Sequence, residues 1–235
     1  MTVRIRRVTT TRAGGVSAPP FDTFNLGDHV GDDPAAVAAN RKRLAAAIGL
    51  PEDRVVWMNQ VHGDRVEVVT QPRTDPVDDT DALVTTTPRL ALAVVTADCV
   101  PVLMADARAG VVAAVHAGRV GAADGVVLCT LDSMLAAGAH VQDISVLLGP
   151  AVSGANYEVP EKMAADVEAR LPGSRTTTAK GTPGLDLRAG IARQLAGAGV
   201  TAIDVDPRCT VADRRLFSHR RAAPTGRLAC LVWIE

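Results

Sequence analysis

The chain has 235 residues, 47% of them hydrophobic and 22% charged, a globular balance that excludes disorder. Its 25 basic and 26 acidic residues leave a formal charge of −1, and aromatics make up only 3%. A nucleic-acid binder built on a basic stripe or on base-stacking platforms is therefore excluded.

Four irregularly spaced cysteines make no disulfide framework and point to a reduced, cytoplasmic setting. The most apolar stretch, residues 90–117, is broken by Thr96, Asp98, Pro101, Asp106, Arg108 and His116, so no membrane span is expected. The arginine-rich start, MTVRIRRVTTTRAGG, lacks the apolar run of a signal peptide and reads as a strand of a mature chain.

In chain order, that strand covers Val3, Ile5 and residues 8–11, and a Gly/Pro/Ser loop follows over 13–20. Asp33-Pro34 reads as an N-cap and first helical proline, with Val37, Leu44 and Ile48 on one face and Gly49 as the stop. Residues 54–61 and 65–69 read as strands around His62-Gly63. Four Val- and Leu-rich strands then follow at 82–85, 90–96, 100–105 and 111–115, the last two joined by a hairpin over 107–110. Their apolar residues do not alternate, which predicts strands covered on both faces.

Helical spacing returns at Val127, Leu128, Leu131 and Leu135, ending at Gly138. A strand at 144–148, helices at about 161–171 and 187–196, and strands at 202–205 and 228–234 complete the list. The succession predicts a mixed α/β (α+β) fold, one compact domain over residues 1–235 with helices over a mixed sheet or pair of sheets. No GxGxxG follows a strand, so a dinucleotide-binding fold is not expected.

Three places put a histidine or cysteine at the end of an apolar strand beside a small or turn residue: Gln60-Val61-His62-Gly63, Ala97-Asp98-Cys99 and His116-Ala117-Gly118. Two imidazoles and a thiolate suit Zn²⁺, or less well Cu²⁺, and three protein ligands leave a fourth position for water or substrate. A metal-free reading uses the same residues: Cys99 as nucleophile, His116 as its base, Asp98 or Asn59 orienting the imidazole, and the backbone at Gly118 or Gly121 as an oxyanion hole. The metal reading needs His62, whereas the hydrolase reading leaves it idle. Cys129 and Cys230 read as core, Cys209 as approaching the site from the C-terminal strands, and His29 and His140 as surface-loop residues.

Several ordered patches resemble the YfiH/YlmD-type laccase-domain family, once called polyphenol oxidases and now regarded as purine nucleoside phosphorylases. They include Thr11-Arg12-Ala13-Gly14-Gly15, Asn25-Leu26-Gly27, Gln60-Val61-His62-Gly63, Asp81-Ala82-Leu83-Val84-Thr85 and Ala97-Asp98-Cys99-Val100-Pro101. His116-Ala117-Gly118, Tyr157-Glu158-Val159, Cys209-Thr210, Phe217-Ser218-His219-Arg220-Arg221 and Gly226-Arg227 continue the likeness to the last strand.

The resemblance implies one zinc on His62, Cys99 and His116 and a fold distantly similar to cysteine-hydrolase-like domains. It also implies phosphorolysis of adenosine, inosine and methylthioadenosine to base and (methylthio)ribose 1-phosphate, with adenosine deamination on the side. The family usually continues its HAG patch with Trp-Arg-Gly, whereas this chain has Arg119-Val120-Gly121. His219 stands where an aromatic is more usual.

Phosphorolysis asks for guanidinium groups on the phosphate, with Arg12, Arg41, Arg119 and Arg220 as candidates. Asn59 and Gln60 are candidates for the sugar hydroxyls or the purine edge. Asp98 is a candidate proton shuttle, or a group orienting a histidine ligand. The partners expected are a purine nucleoside and phosphate, with no nucleic-acid, membrane or obligate protein partner indicated. Multicopper phenol oxidation would need about four coppers and more ligands than five histidines supply. Editing of a peptidoglycan precursor fits the cysteine-hydrolase alternative.

Overall fold

A computed structural model describes residues 2–235. Two stacked sheets, rather than one, carry the fold. The first has four strands in the order β1 (Ile5–Thr9), β12 (Leu228–Ile234), β5 (Ala91–Thr96) and β2 (Val55–Val56). The second has six: β11 (Ala202–Val205), β8 (Ile144–Leu148), β6 (Val100–Asp106), β7 (Val111–Ala117), β4 (Ala82–Thr85) and β3 (Val66–Val68). A small hairpin of β9 (Arg175–Thr177) and β10 (Pro183–Leu185) stands apart. Five helices cover the outer faces: α1 (Pro34–Ile48), α2 (Arg119–Asp124), α3 (Val126–Ala136), α4 (Glu161–Arg170) and α5 (Leu187–Gly197).

The missing alternation in the central strands has its reason in these layers. Leu92, Val94 and Val232 of one sheet meet Leu83, Leu103 and Val112 of the other in the seam between them. The next residues along each strand face outward into helices. Ala91, Ala93 and Leu231 pack with Leu44 and Trp57 on the α1 side, while Val84, Val102 and Val115 pack with Val127, Ile191 and Leu195 on the other. Every residue of β4 to β7 is therefore buried. Truncating Leu103, fully enclosed here, would cost about 2–5 kcal/mol.

Local signals behave as expected at α1, where the Asp33 carboxylate accepts the N–H of Ala35 at 2.9 Å and Gly49 closes the helix at φ 72°. Three expectations are corrected. The strand read over 54–61 shrinks to Val55–Val56, with Met58 bridged singly to Val77. Beyond it, the Gln60 side chain makes both ladder bonds to Val95 at 2.8 Å, so the backbone is free to turn. Helix α3 buries Val126, Val127, Thr130, Leu131 and Met134, which turns Cys129 outward and leaves it exposed rather than in the core. The short α2 and the β9–β10 hairpin lack apolar periodicity and have no counterpart in the sequence reading. Among the described residues, no helix is long and apolar enough to cross a membrane.

Candidate functional site

Cys99 occupies the turn by which the chain leaves β5 in one sheet and enters β6 in the other, so it sits where the seam opens. Antiparallel register between β6 and β7 pairs Val100 with Ala117 and Pro101 with His116, which brings that turn beside Gly118. His62 comes from the loop between β2 and β3, held at φ 64°, where side chains other than glycine are uncommon.

The ligand atoms of His62, Cys99 and His116 all lie within 4.8 Å of one another. Cys99 Sγ is 3.9 Å from His62 Nε2, and the two imidazoles meet edge to face with centroids 4.7 Å apart. Gly118 makes this packing possible: a Cβ there would stand 2.7 Å from His62 Cδ2 and 3.3 Å from Cys99 Sγ. Gly121 does the same one turn on, since its Cβ would meet the Gly63 carbonyl at 2.4 Å.

Asp81, at the entry to β4, organises both histidines. Its carboxylate accepts the backbone N–H groups of Val61, His62 and Gly63 at 3.2, 3.0 and 2.7 Å, which pins the His62 loop. The same carboxylate takes the Nδ1–H of His116 at 2.7 Å, and its side chain is fully buried. An ionised carboxylate only accepts, so Nδ1 of His116 carries a proton, and Nε2 is the nitrogen a metal would take once its own proton is lost. Burial works to raise the Asp81 pKa, but His116 and the loop N–H groups outweigh it and hold the carboxyl below its usual range.

Burial likewise opposes charge on Cys99, yet the adjacent His116 and His62 hold its thiol down to about 6. Burial also opposes charge on His116, but Cys99 and Asp81 outweigh it and push the imidazole up to about 9. A thiolate–imidazolium pair, backed by a carboxylate, is the resting arrangement at neutral pH. Two imidazole nitrogens and a thiolate, with a carboxylate behind one ring, make a donor set able to hold a metal ion.

The cluster opens into a cavity of about 390 Å³, within the range of small-molecule sites. Apolar Val95, Val152 and Leu187 line part of it, and Tyr157, His29, His219, Arg119, Arg220 and Arg227 supply polar groups. Among the described residues, none of the three arginines has a carboxylate partner. The Arg220 guanidinium lies 5.1 Å from the centroid of the Tyr157 ring. Burial raises the Tyr157 phenol, with Arg119 and Arg220 pulling the other way, so both cations stand close to this ring.

The other candidates fall elsewhere. Arg12 pairs with Asp22 at 3.0 Å and covers Phe217 at 5.0 Å, while Arg41 donates to the Leu26 carbonyl, pairs with Asp28 and stacks on Trp57 at 4.2 Å. Both guanidinium groups are taken up in tying loops down, and neither lines the cavity. Asn59 is exposed outside the cavity, and Gln60 lines it with both amide ends committed to Val95. Asp98 borders the cavity but orients no histidine, because its oxygens accept from Thr210 and Arg220, and Asp81 has the role expected of Asp98 or Asn59. His29 lines the cavity from its loop, and Cys209 accepts the N–H of Ser153 outside it. The sequence reading assigns no role to Asp81, Tyr157 or Arg227. The available signal for Asp81 was an acid heading an otherwise apolar strand, which must find a partner.

Stacked mixed sheets with a His-Cys-His group able to hold a metal ion, beside a cavity at the mouth of their seam, define the α/β class of this protein. The chain belongs to the laccase-domain family: the family model described as multi-copper polyphenol oxidoreductase laccase matches residues 6–235. A Mycobacterium tuberculosis protein named purine nucleoside phosphorylase is 80% identical over 235 residues, spanning 100% of this chain and 94% of the relative. A Corynebacterium glutamicum protein of the same name is 59% identical, over 98% of this chain and 94% of its own length. The Bacillus licheniformis hypothetical protein YfiH superposes with a TM-score of 0.91 at 32% identity, covering 98% of this chain and 93% of that one. YlmD from Geobacillus stearothermophilus gives 0.91 at 34% identity, covering 98% and 92%.

Proposed function

We propose that residues 1–235 form one catalytic domain, a cytoplasmic purine nucleoside phosphorylase cleaving adenosine, inosine and methylthioadenosine with phosphate. Its relatives carry the phosphorylase name, and the observation that carries the reading is a cluster of metal-type donors opening into a cavity lined by three arginines that, among the described residues, have no carboxylate partner. His62, Cys99 and His116 would hold the metal, and the mixed nitrogen and thiolate set favours zinc over copper. Bound there, such an ion supplies Lewis acidity toward an oxygen of substrate or water, which also accounts for adenosine deamination as a side activity.

The chain's own groups have separate tasks. Arg119 and Arg220, flanking Tyr157, present paired donors to the anionic nucleophile. Arg227 adds positive charge as the departing base becomes an anion. Asp81 keeps His116 in one tautomer, and the apolar walls limit water.

Inosine with phosphate should yield hypoxanthine and ribose 1-phosphate at a rate that rises with phosphate. Cleavage indifferent to phosphate would overturn the reading.

A metal-free cysteine hydrolase or amidase, as in peptidoglycan-precursor editing, is favoured by one observation: Cys99, His116 and Asp81 form a nucleophile, base and orienting acid in sequence. His62→Ala separates the two, since it removes a metal ligand but no member of that triad.

A further inference from the structure

The Asp98 carboxylate reaches across to a distant part of the chain. Its Oδ1 accepts the Thr210 hydroxyl at 2.5 Å and its Oδ2 accepts the backbone N–H of Arg220 at 2.6 Å, 112 and 122 residues away in sequence. The Asp98 carbonyl accepts the N–H of Val152 at 3.0 Å. Its backbone sits at φ 101°, a left-handed conformation that a residue other than glycine adopts only when its surroundings enforce it. Three distant points of the chain, at Val152, Thr210 and Arg220, thus converge on the residue that precedes Cys99.

The segment it captures is irregular in structure. Between β11 and β12 the chain is braced from within by Arg221, whose guanidinium donates to the carbonyls of Thr210, Val211, Asp213 and Leu216. Arg221 gives that segment a shape of its own, while the Asp98 bonds fasten it to the turn bearing Cys99. The pinned amide belongs to Arg220, whose side chain continues to the Tyr157 ring and lines the cavity.

We infer that Asp98 is a positioning residue: by anchoring Thr210 and the Arg220 amide, it sets the Arg220 guanidinium at the place where inorganic phosphate is held. A displacement of about 1 Å in a group that orients a reactant can cost about a hundredfold, so this anchor acts through geometry. The kinetic consequence rests on the phosphorylase reading, but the anchor itself does not.

The test uses the metal-loaded enzyme, with phosphate and inosine varied separately. Asp98→Gly suits the left-handed backbone while deleting both acceptors. It should raise the phosphate KM about tenfold, with the inosine KM and bound metal near wild type. Asp98→Asn keeps one acceptor and should act in the same direction, less strongly. Thr210→Val should follow it, and Thr210→Ser, which restores the hydroxyl, should recover the wild-type value. Hydrogen exchange over residues 216–222 should quicken in Asp98→Gly.

A wild-type phosphate KM in Asp98→Gly would show that only the turn's shape matters and would overturn the inference. Loss of metal in that variant would overturn it too, by placing the effect at Cys99. If the wild type shows no phosphate-dependent cleavage, the phosphorylase reading falls. Titration of inorganic phosphate followed by phosphorus NMR then decides: tighter binding to wild type than to Asp98→Gly supports the anchor, and equal or absent binding overturns it.

Discussion

The β6–β7 hairpin carries a cluster of metal-type side chains at each end, and the two ends differ in what their atoms are already doing. At the turn end, Asp106, His140 and Asp143 also bring their ligand atoms within 4.8 Å of one another. There the Asp106 carboxylate accepts the N–H groups of Arg108, Ala109 and His140 at 2.8 to 2.9 Å, and Asp143 pairs with Arg108 at 3.2 Å. That cluster is a turn held shut by its own backbone. At the open end the carboxylate stands behind the donors, and Cys99 and the two histidines face one another beside a cavity. Closeness does not distinguish the ends; donor type and what the donor atoms are already bonded to do.

The comparison breaks most severely if Cys99→Ser or His62→Ala keeps a full metal complement and full phosphorolysis. Both should lose metal on dialysis and fall to background activity, measured by elemental analysis and product formation. Asp81→Asn should follow, with about 10–100-fold weaker metal binding through the misaligned His116. Asp81→Ala, which strips the His62 loop of its acceptor and leaves His116 without its partner, should cost about 3–5 kcal/mol. A chain of this size would show that as a fall in Tm of about 2–4 °C per kcal/mol.

Acidity sharpens the contrast. With the thiol held near 6 and the imidazole near 9, His116 carries a proton that a metal must displace at pH 7.5, so about one proton should be released per ion bound. Affinity should rise with pH through this window and drop steeply below pH 6, where Cys99 also takes up a proton. Calorimetry in two buffers of different ionisation enthalpy reads the proton directly, and zero release would contradict the assigned pair.

The smallest effect belongs to the turn end. Asp106→Ala should cost about 2 kcal/mol through its unsatisfied amides while leaving metal content and turnover unchanged.

The contrast also marks what a sequence can disclose. The central strands were legible because covering both faces forces continuous apolarity, and β4 to β7 bear that imprint. The residues of the open end were legible as types at strand ends. Their convergence was not, because it depends on the β6–β7 register and on a turn passing between two sheets. Asp81 and His116 stand 35 residues apart with no local pattern linking them, so the sequence offers only the nearer Asp98 or Asn59 as the orienting group. The strand ending at Val56 shows the reverse case: Gln60 imitates a ladder with its side chain, so propensity at 57–61 carries no information about pairing. Cys129 reads as core from its apolar chain neighbours, whereas Asp132 and Ser133, at i+3 and i+4, share its face and mark it as the outward one.

The pairing of β12 between β1 and β5 also orders events in time. Until residues 228–234 have been synthesised, β5 has only the two residues of β2 beside it, and the turn that presents Cys99 has no settled support on that side. Such long-range closure is slow compared with local helix formation. A chain without β12 therefore lacks a settled wall behind Cys99, and the approach of the thiol to the two imidazoles depends on a strand more than a hundred residues away.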